Sequence, residues 1–99
     1  MIAVVALLLW SGCGKDDDDD ELKAAFTYQL TEVPGEVAFT NRSENAQTYE
    51  WNFGDGSFST VTSPNHTYDD NGDFIVILKA FGPGENVSVR DTITVDNIP

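Results

Sequence analysis

Trp51-Asn52-Phe53-Gly54-Asp55-Gly56-Ser57 (WNFGDGS) sets two aromatics at alternate positions and follows them with two glycines around one acid. Two readings compete. In one, Asp55 is a reactive carboxylate held out on a glycine loop. In the other, the stretch is the end of a buried strand and the turn that leaves it. Alternate residues of a strand share a face, so Trp51 and Phe53 enter the core together. Gly54 and Gly56 supply the positive φ values that a sharp exit demands. Asp55 between them can accept bonds from nearby backbone N–H groups and cap the turn. A catalytic Asp55 would need a partner base, nucleophile or metal, and the chain has a single histidine. The structural reading accounts for every residue. No catalytic residue is assigned, no cofactor is implied, and the expected function is non-enzymatic.

Alternation governs the chain on both sides of this stretch. Phe26, Tyr28 and Leu30 alternate with polar residues, and Val33-Pro34-Gly35-Glu36 makes a turn. Val37 and Phe39 continue on a second strand, and Tyr49, Trp51 and Phe53 share a face of a third. Ser57 to Thr62 reads as a short polar strand ended by Pro64. Phe74, Val76, Leu78 and Ala80 form the longest inward run, Phe81-Gly82-Pro83-Gly84 turns the chain, and Asn86 to Val95 returns. No window from Leu22 onward keeps a helical period. About seven short strands with frequent turns predict an all-β fold, an antiparallel Ig-like sandwich. On the last strand Asp91 shares parity with Val87, Val89, Ile93 and Val95. Burying it unpaired would be costly, so a bulge near Arg90 or Asp91 is expected to turn it outward.

The first residues are of another kind. Ile2 to Trp10 are nine continuous apolar positions, too few for the roughly 20 that span a bilayer but enough for a secretion signal. Ser11-Gly12 precede Cys13, the only cysteine, so no internal disulfide can form. Small residues before a cysteine resemble the bacterial lipobox, with Trp10 where leucine is usual and no basic residue ahead of the apolar run. That resemblance implies acylation of Cys13. The following GKDDDDDE is a self-repelling spacer and resembles the surface-export signal of Bacteroidota-type lipoproteins. The expected organisation is a signal peptide over 1–12, a lipidated cysteine and acidic tether over 13–22, and a folded domain over 23–97. An exported, lipid-anchored protein at the outer membrane or cell surface follows from it.

Net charge is −12. From residue 22 onward eleven acids face four bases, which leaves −7 on the domain. Nucleic acid and an anionic membrane surface are therefore excluded as partners, and membrane contact is expected only through the anchor on Cys13.

Beyond the opening stretch come Pro64, then His66-Thr67-Tyr68, then Gly72, Phe74, Val76 and Leu78. Together these resemble the PKD (polycystic kidney disease) domain, whose pattern joins an aromatic-x-Phe-Gly-Asp-Gly stretch to a His-x-Tyr step and a Gly-x-aromatic-x-Val-x-Leu strand. The resemblance covers roughly Phe26 to Val95, with Asn52 where the family often has aspartate. It implies a seven-stranded sandwich with no inter-sheet disulfide. It also implies that Tyr68 forms a tyrosine corner with upstream backbone and that His66 orients that corner by hydrogen bonding. An interaction or spacer role at the cell surface follows, with a protein or glycan as partner.

Three surface readings stay open. Phe58 and Phe81 are the rings best placed to stack on a glycan. Ile75 and Ile77 point away from the core face and either pair across the sheet or form a docking strip. Asp69, Asp70, Asn71 and Asp73 crowd one loop and are weak calcium candidates, lacking the ordered spacing of an EF-hand. The Asn-x-Ser/Thr triplets at Asn41, Asn65 and Asn86 are read as chance.

Overall fold

The computed structural model describes residues 21–99. The expected signal peptide, the acylation site at Cys13 and nearly all of the acidic tether lie outside these residues. Seven strands follow: β1 (Phe26–Leu30), β2 (Glu36–Asn41), β3 (Thr48–Asn52), β4 (Phe58–Ser59), β5 (Asn65–Thr67), β6 (Gly72–Gly82) and β7 (Glu85–Val95). They form two antiparallel sheets, one in the order β1-β2-β5 and one in the order β4-β3-β6-β7. This is the Ig-like sandwich expected from the alternation. The His66 step proves to be a strand of its own, β5. The polar strand after the glycine turn is shorter than Ser57–Thr62, because only Phe58 and Ser59 pair with β3.

Turn chemistry fixes the hairpins. Glu36 donates its N–H to the Val33 carbonyl, with Pro34 and Gly35 as the central pair and Gly35 at φ 81°. Proline presets the first central position and glycine takes the left-handed second one. Pro83 and Gly84 alone join β6 to β7, whose eleven residues each pair from Gly72↔Val95 to Gly82↔Glu85.

The two sheets meet on Val37, Phe39, Trp51, Phe53, Tyr68, Val76, Leu78, Ile93 and Val95. Trp51 is fully buried and bridges the layers. Its ring lies 5.2 Å from Phe26 and 5.2 Å from Phe39, both on the opposite sheet. Its Nε1 donates to the Val61 carbonyl at 2.9 Å, so the one polar atom of the indole is satisfied. Leu22, assigned to the tether from the sequence, is buried against Gly82 and belongs to the packed body. Beside it, Lys23 and Glu44 exchange backbone N–H···O=C bonds in an isolated antiparallel pairing.

One expectation is corrected. No bulge interrupts β7 near Arg90 or Asp91, since the β6–β7 register runs one to one throughout. Asp91 keeps its inward parity opposite Val76 yet stays exposed. β7 is the edge of its sheet, and a side chain on the inner face of an edge strand reaches solvent sideways without a kink.

Candidate functional site

The glycine turn holds a polar cluster against the end of the aromatic core. The Phe53 N–H donates to the Ser57 carbonyl and closes the loop. Gly54 and Gly56 sit at φ 85° and 93°. Asp55 Oδ1 accepts the Ser57 N–H, and Asn52 Oδ1 accepts the Gly54 N–H, so two short side chains bind the turn's donors. Asp55 Oδ2 lies 2.7 Å from Nε2 of His66 on β5, in the other sheet. The His66 ring stacks on Phe53 at 4.1 Å between centroids with 4° between planes, and meets Tyr68 edge-on at 4.6 Å. The Tyr68 hydroxyl donates to the Phe53 carbonyl at 2.7 Å. Tyr68 in turn stacks on Phe74 at 4.2 Å. Gly72 opens β6 at φ 149°.

The electrostatics follow from this geometry. Burial pushes the Asp55 carboxyl up, but the bonds from His66 and Ser57 outweigh it and hold its pKa below the ordinary value. Burial, and then the nearby Asp55 charge, raise the pKa of the Tyr68 hydroxyl. Among the described residues no serine, threonine or cysteine side chain is hydrogen-bonded to His66. The aspartate–histidine pair joins the glycine turn to the facing sheet, and the Ser57 hydroxyl beside it bonds the Asp55 carboxylate rather than the imidazole.

The acidic loop does not assemble. Asp73 Oδ1 accepts the Thr94 hydroxyl, and Asn71 bonds both backbone groups of Ile98. Among the described residues no three acidic, histidine or cysteine side chains converge on a metal position, and Asp69, Asp70 and Asp73 stay separate.

The remaining candidates gather on the outer face of the four-stranded sheet. Phe58 is 66% exposed and Ile75 49%. Phe58 pairs with Asn52, Asn52 with Ile77, and Ile77 with Arg90, giving one row across all four strands. Ile75 pairs with the β-branched Thr92. An open hollow of about 240 Å³ lies among Glu50, Asn52, Phe58, Ile77 and Lys79. Phe81 is half-buried on the same face, with Lys79 Nζ 5.7 Å from its ring centre. A second hollow, of about 440 Å³, lies between the Gln47–Glu50 stretch and Thr60, Thr62 and Phe81. Sequence reasoning named the rings and isoleucines but missed Gln47, Glu50, Thr60 and Thr62. Their role depends on where β4 stops, and no local signal marks that point.

A PKD-domain family model matches residues 21–96. The chain belongs to the PKD family. Among solved structures it is similar to the PKD1 domain of the Vibrio cholerae metalloprotease PrtV, at 29% identity and a TM-score of 0.70, over 76% of this chain and 96% of that one. It shares its fold with the PKD1 domain of Vibrio anguillarum Epp, at 24% identity and a TM-score of 0.65, over 78% and 96% of the two chains. A solution NMR structure from Methanosarcina mazei matches at 27% identity and a TM-score of 0.58, over 99% and 65%. No curated protein sequence matches the chain. PKD domains occur in extracellular or secreted proteins and are in general non-catalytic interaction or spacer modules. In this PKD domain the family motif residues Trp51, Phe53, Asp55, His66 and Tyr68 lie in the core and its cap. The outer sheet face carries none of them.

Proposed function

We propose that this protein is a non-catalytic surface module. A lipid on Cys13 anchors it, the acidic run after Cys13 holds it clear of the membrane, and the outer face of its four-stranded sheet binds a protein or glycan partner. The observation that carries the reading is Phe58, two-thirds exposed on a two-residue strand and lining an open hollow with Ile77, two strands away. A large ring left in water on a sheet face costs solubility, and grouped apolar groups of that kind mark interaction surfaces. The motif residues serve architecture, which leaves this face free to carry specificity.

Two measurements test it. Mass spectrometry of the mature protein is expected to show a chain beginning at an acylated Cys13; an unmodified cysteine with residues 1–12 attached would remove the anchor. A photo-reactive phenylalanine analogue at position 58 is expected to cross-link a surface component in producing cells. The same analogue at the exposed Thr27, on the opposite sheet, is expected not to. Equal adducts at both sites, or none at position 58, would remove the assignment of the face.

A further inference from the structure

Phe58 and Phe81 stand at the two ends of one groove. Phe58 is opposite Asn52 on one side of β3, and Phe81 is opposite Thr48 on the other side. Four residues along the strand and one strand spacing to each side put the two positions about 16 Å apart on the diagonal. The two hollows fill the space between them and share Glu50. The groove exists because β4 is so short. Its pairing register would bring Val61 opposite Tyr49, but the Val61 carbonyl has turned away to accept the Trp51 indole. Phe53 bonds Ser57, so residues of that parity on β3 aim their N–H and C=O toward β4. Tyr49 has that parity, and both its backbone groups therefore face the larger hollow.

The lining selects the ligand. Among the described residues the side chains of Gln47, Thr48, Glu50, Thr60 and Thr62 make no hydrogen bond, and all five are exposed. Amide, hydroxyl and carboxylate groups between two flat apolar rings match a chain that shows alternating hydroxyl edges and apolar ring faces. A peptide strand would seek a continuous backbone ladder, and this groove opens the backbone groups of Tyr49 alone, between Trp51, paired with β4, and Gln47, whose N–H is bonded to the Phe81 carbonyl. The domain's charge of −7 disfavours an anionic chain. We infer that this groove binds a linear neutral oligosaccharide, with Phe58 and Phe81 as stacking platforms and Glu50 with the neighbouring threonines as hydroxyl partners. The inference rests on the outer face being the binding surface and names its ligand.

The test titrates the full ¹⁵N-labelled chain with neutral hexasaccharides of glucose, xylose, mannose and N-acetylglucosamine, and with an anionic galacturonate hexamer. At least one neutral chain is expected to give saturable shifts at the amides of Tyr49, Asn52, Phe58 and Thr60, and the anionic chain none. Phe58→Ala is expected to weaken that binding about tenfold. Glu50→Ala, which removes an exposed side chain with no partner and leaves packing intact, is expected to weaken it several-fold. Absence of saturable shifts with every neutral chain would overturn the inference, as would binding unchanged in both variants. If position 58 still cross-links a surface protein while every hexasaccharide fails, the interaction face stands and the oligosaccharide falls.

Discussion

Asp55, in the turn between β3 and β4, and His66, eleven residues on and in β5 of the facing sheet, meet through an Oδ2···Nε2 contact of 2.7 Å. The carboxylate also binds the Ser57 N–H, so one side chain closes its own turn and ties that turn to the facing layer. The histidine completes the tie by stacking on Phe53.

The Asp55 pKa is lower in the folded chain than its ordinary value of 3.8. A depressed folded pKa stabilises the protein above the unfolded pKa, and that stabilisation is lost as pH falls through the folded value. Chemical denaturation across pH 2–7 is expected to show an acid limb that flattens in Asp55→Asn. The variant should lose about 1 kcal/mol at neutral pH, the worth of a partly exposed hydrogen-bonding group. An acid limb identical to wild type would show that the contact carries no linkage.

Tyr68 gives the opposite sign. Its raised pKa means that burial favours the neutral hydroxyl. That stability is complete below the unfolded tyrosine value near 10 and fades as pH rises toward the folded one. Tyr68→Phe leaves the Phe53 carbonyl without its donor and should cost about 1–3 kcal/mol at pH 7. The same substitution should shallow the alkaline fall in melting temperature. A variant as stable as wild type, with an unchanged alkaline limb, would refute the corner's contribution.

The two glycines of the turn separate backbone conformation from space. A Cβ at Gly56 meets nothing within 4 Å, whereas one at Gly54 falls 2.5 Å from the Ile75 carbonyl oxygen. Both have positive φ, which costs an L-residue about 1–2 kcal/mol. Gly56→Ala should lose about that amount. Gly54→Ala should lose about 3 kcal/mol or more, because backbone of β6 must move as well. Equal losses in urea titrations would contradict the close approach.

Trp51 is sealed between the sheets. In a Trp10→Phe chain the remaining indole fluorescence should resist acrylamide until the protein unfolds. Trp51→Phe removes one ring and strands the Val61 carbonyl, for an expected loss of about 2–4 kcal/mol. Free quenching in the native state would contradict the sandwich.

Much of the fold was legible in one dimension because strands have a period of two. Trp51 with Phe53, and Val76 with Leu78, declare a shared face by spacing alone, and Pro34-Gly35 and Gly54-Asp55-Gly56 declare their turns through φ. Sequence therefore determined the layer count, the core side chains and the residues of the cap. It left undecided whatever depends on neighbours distant along the chain. Asp91 avoids burial because β7 is an edge, a property of strand order that periodicity does not carry. His66 finds Asp55 only once two sheets are stacked. The groove between Phe58 and Phe81 opens because the Val61 carbonyl binds the Trp51 indole and ends β4 after two residues. Local alternation sets which side of a strand faces inward, while partners far apart in sequence set where pairing stops and what the surface is left to bind.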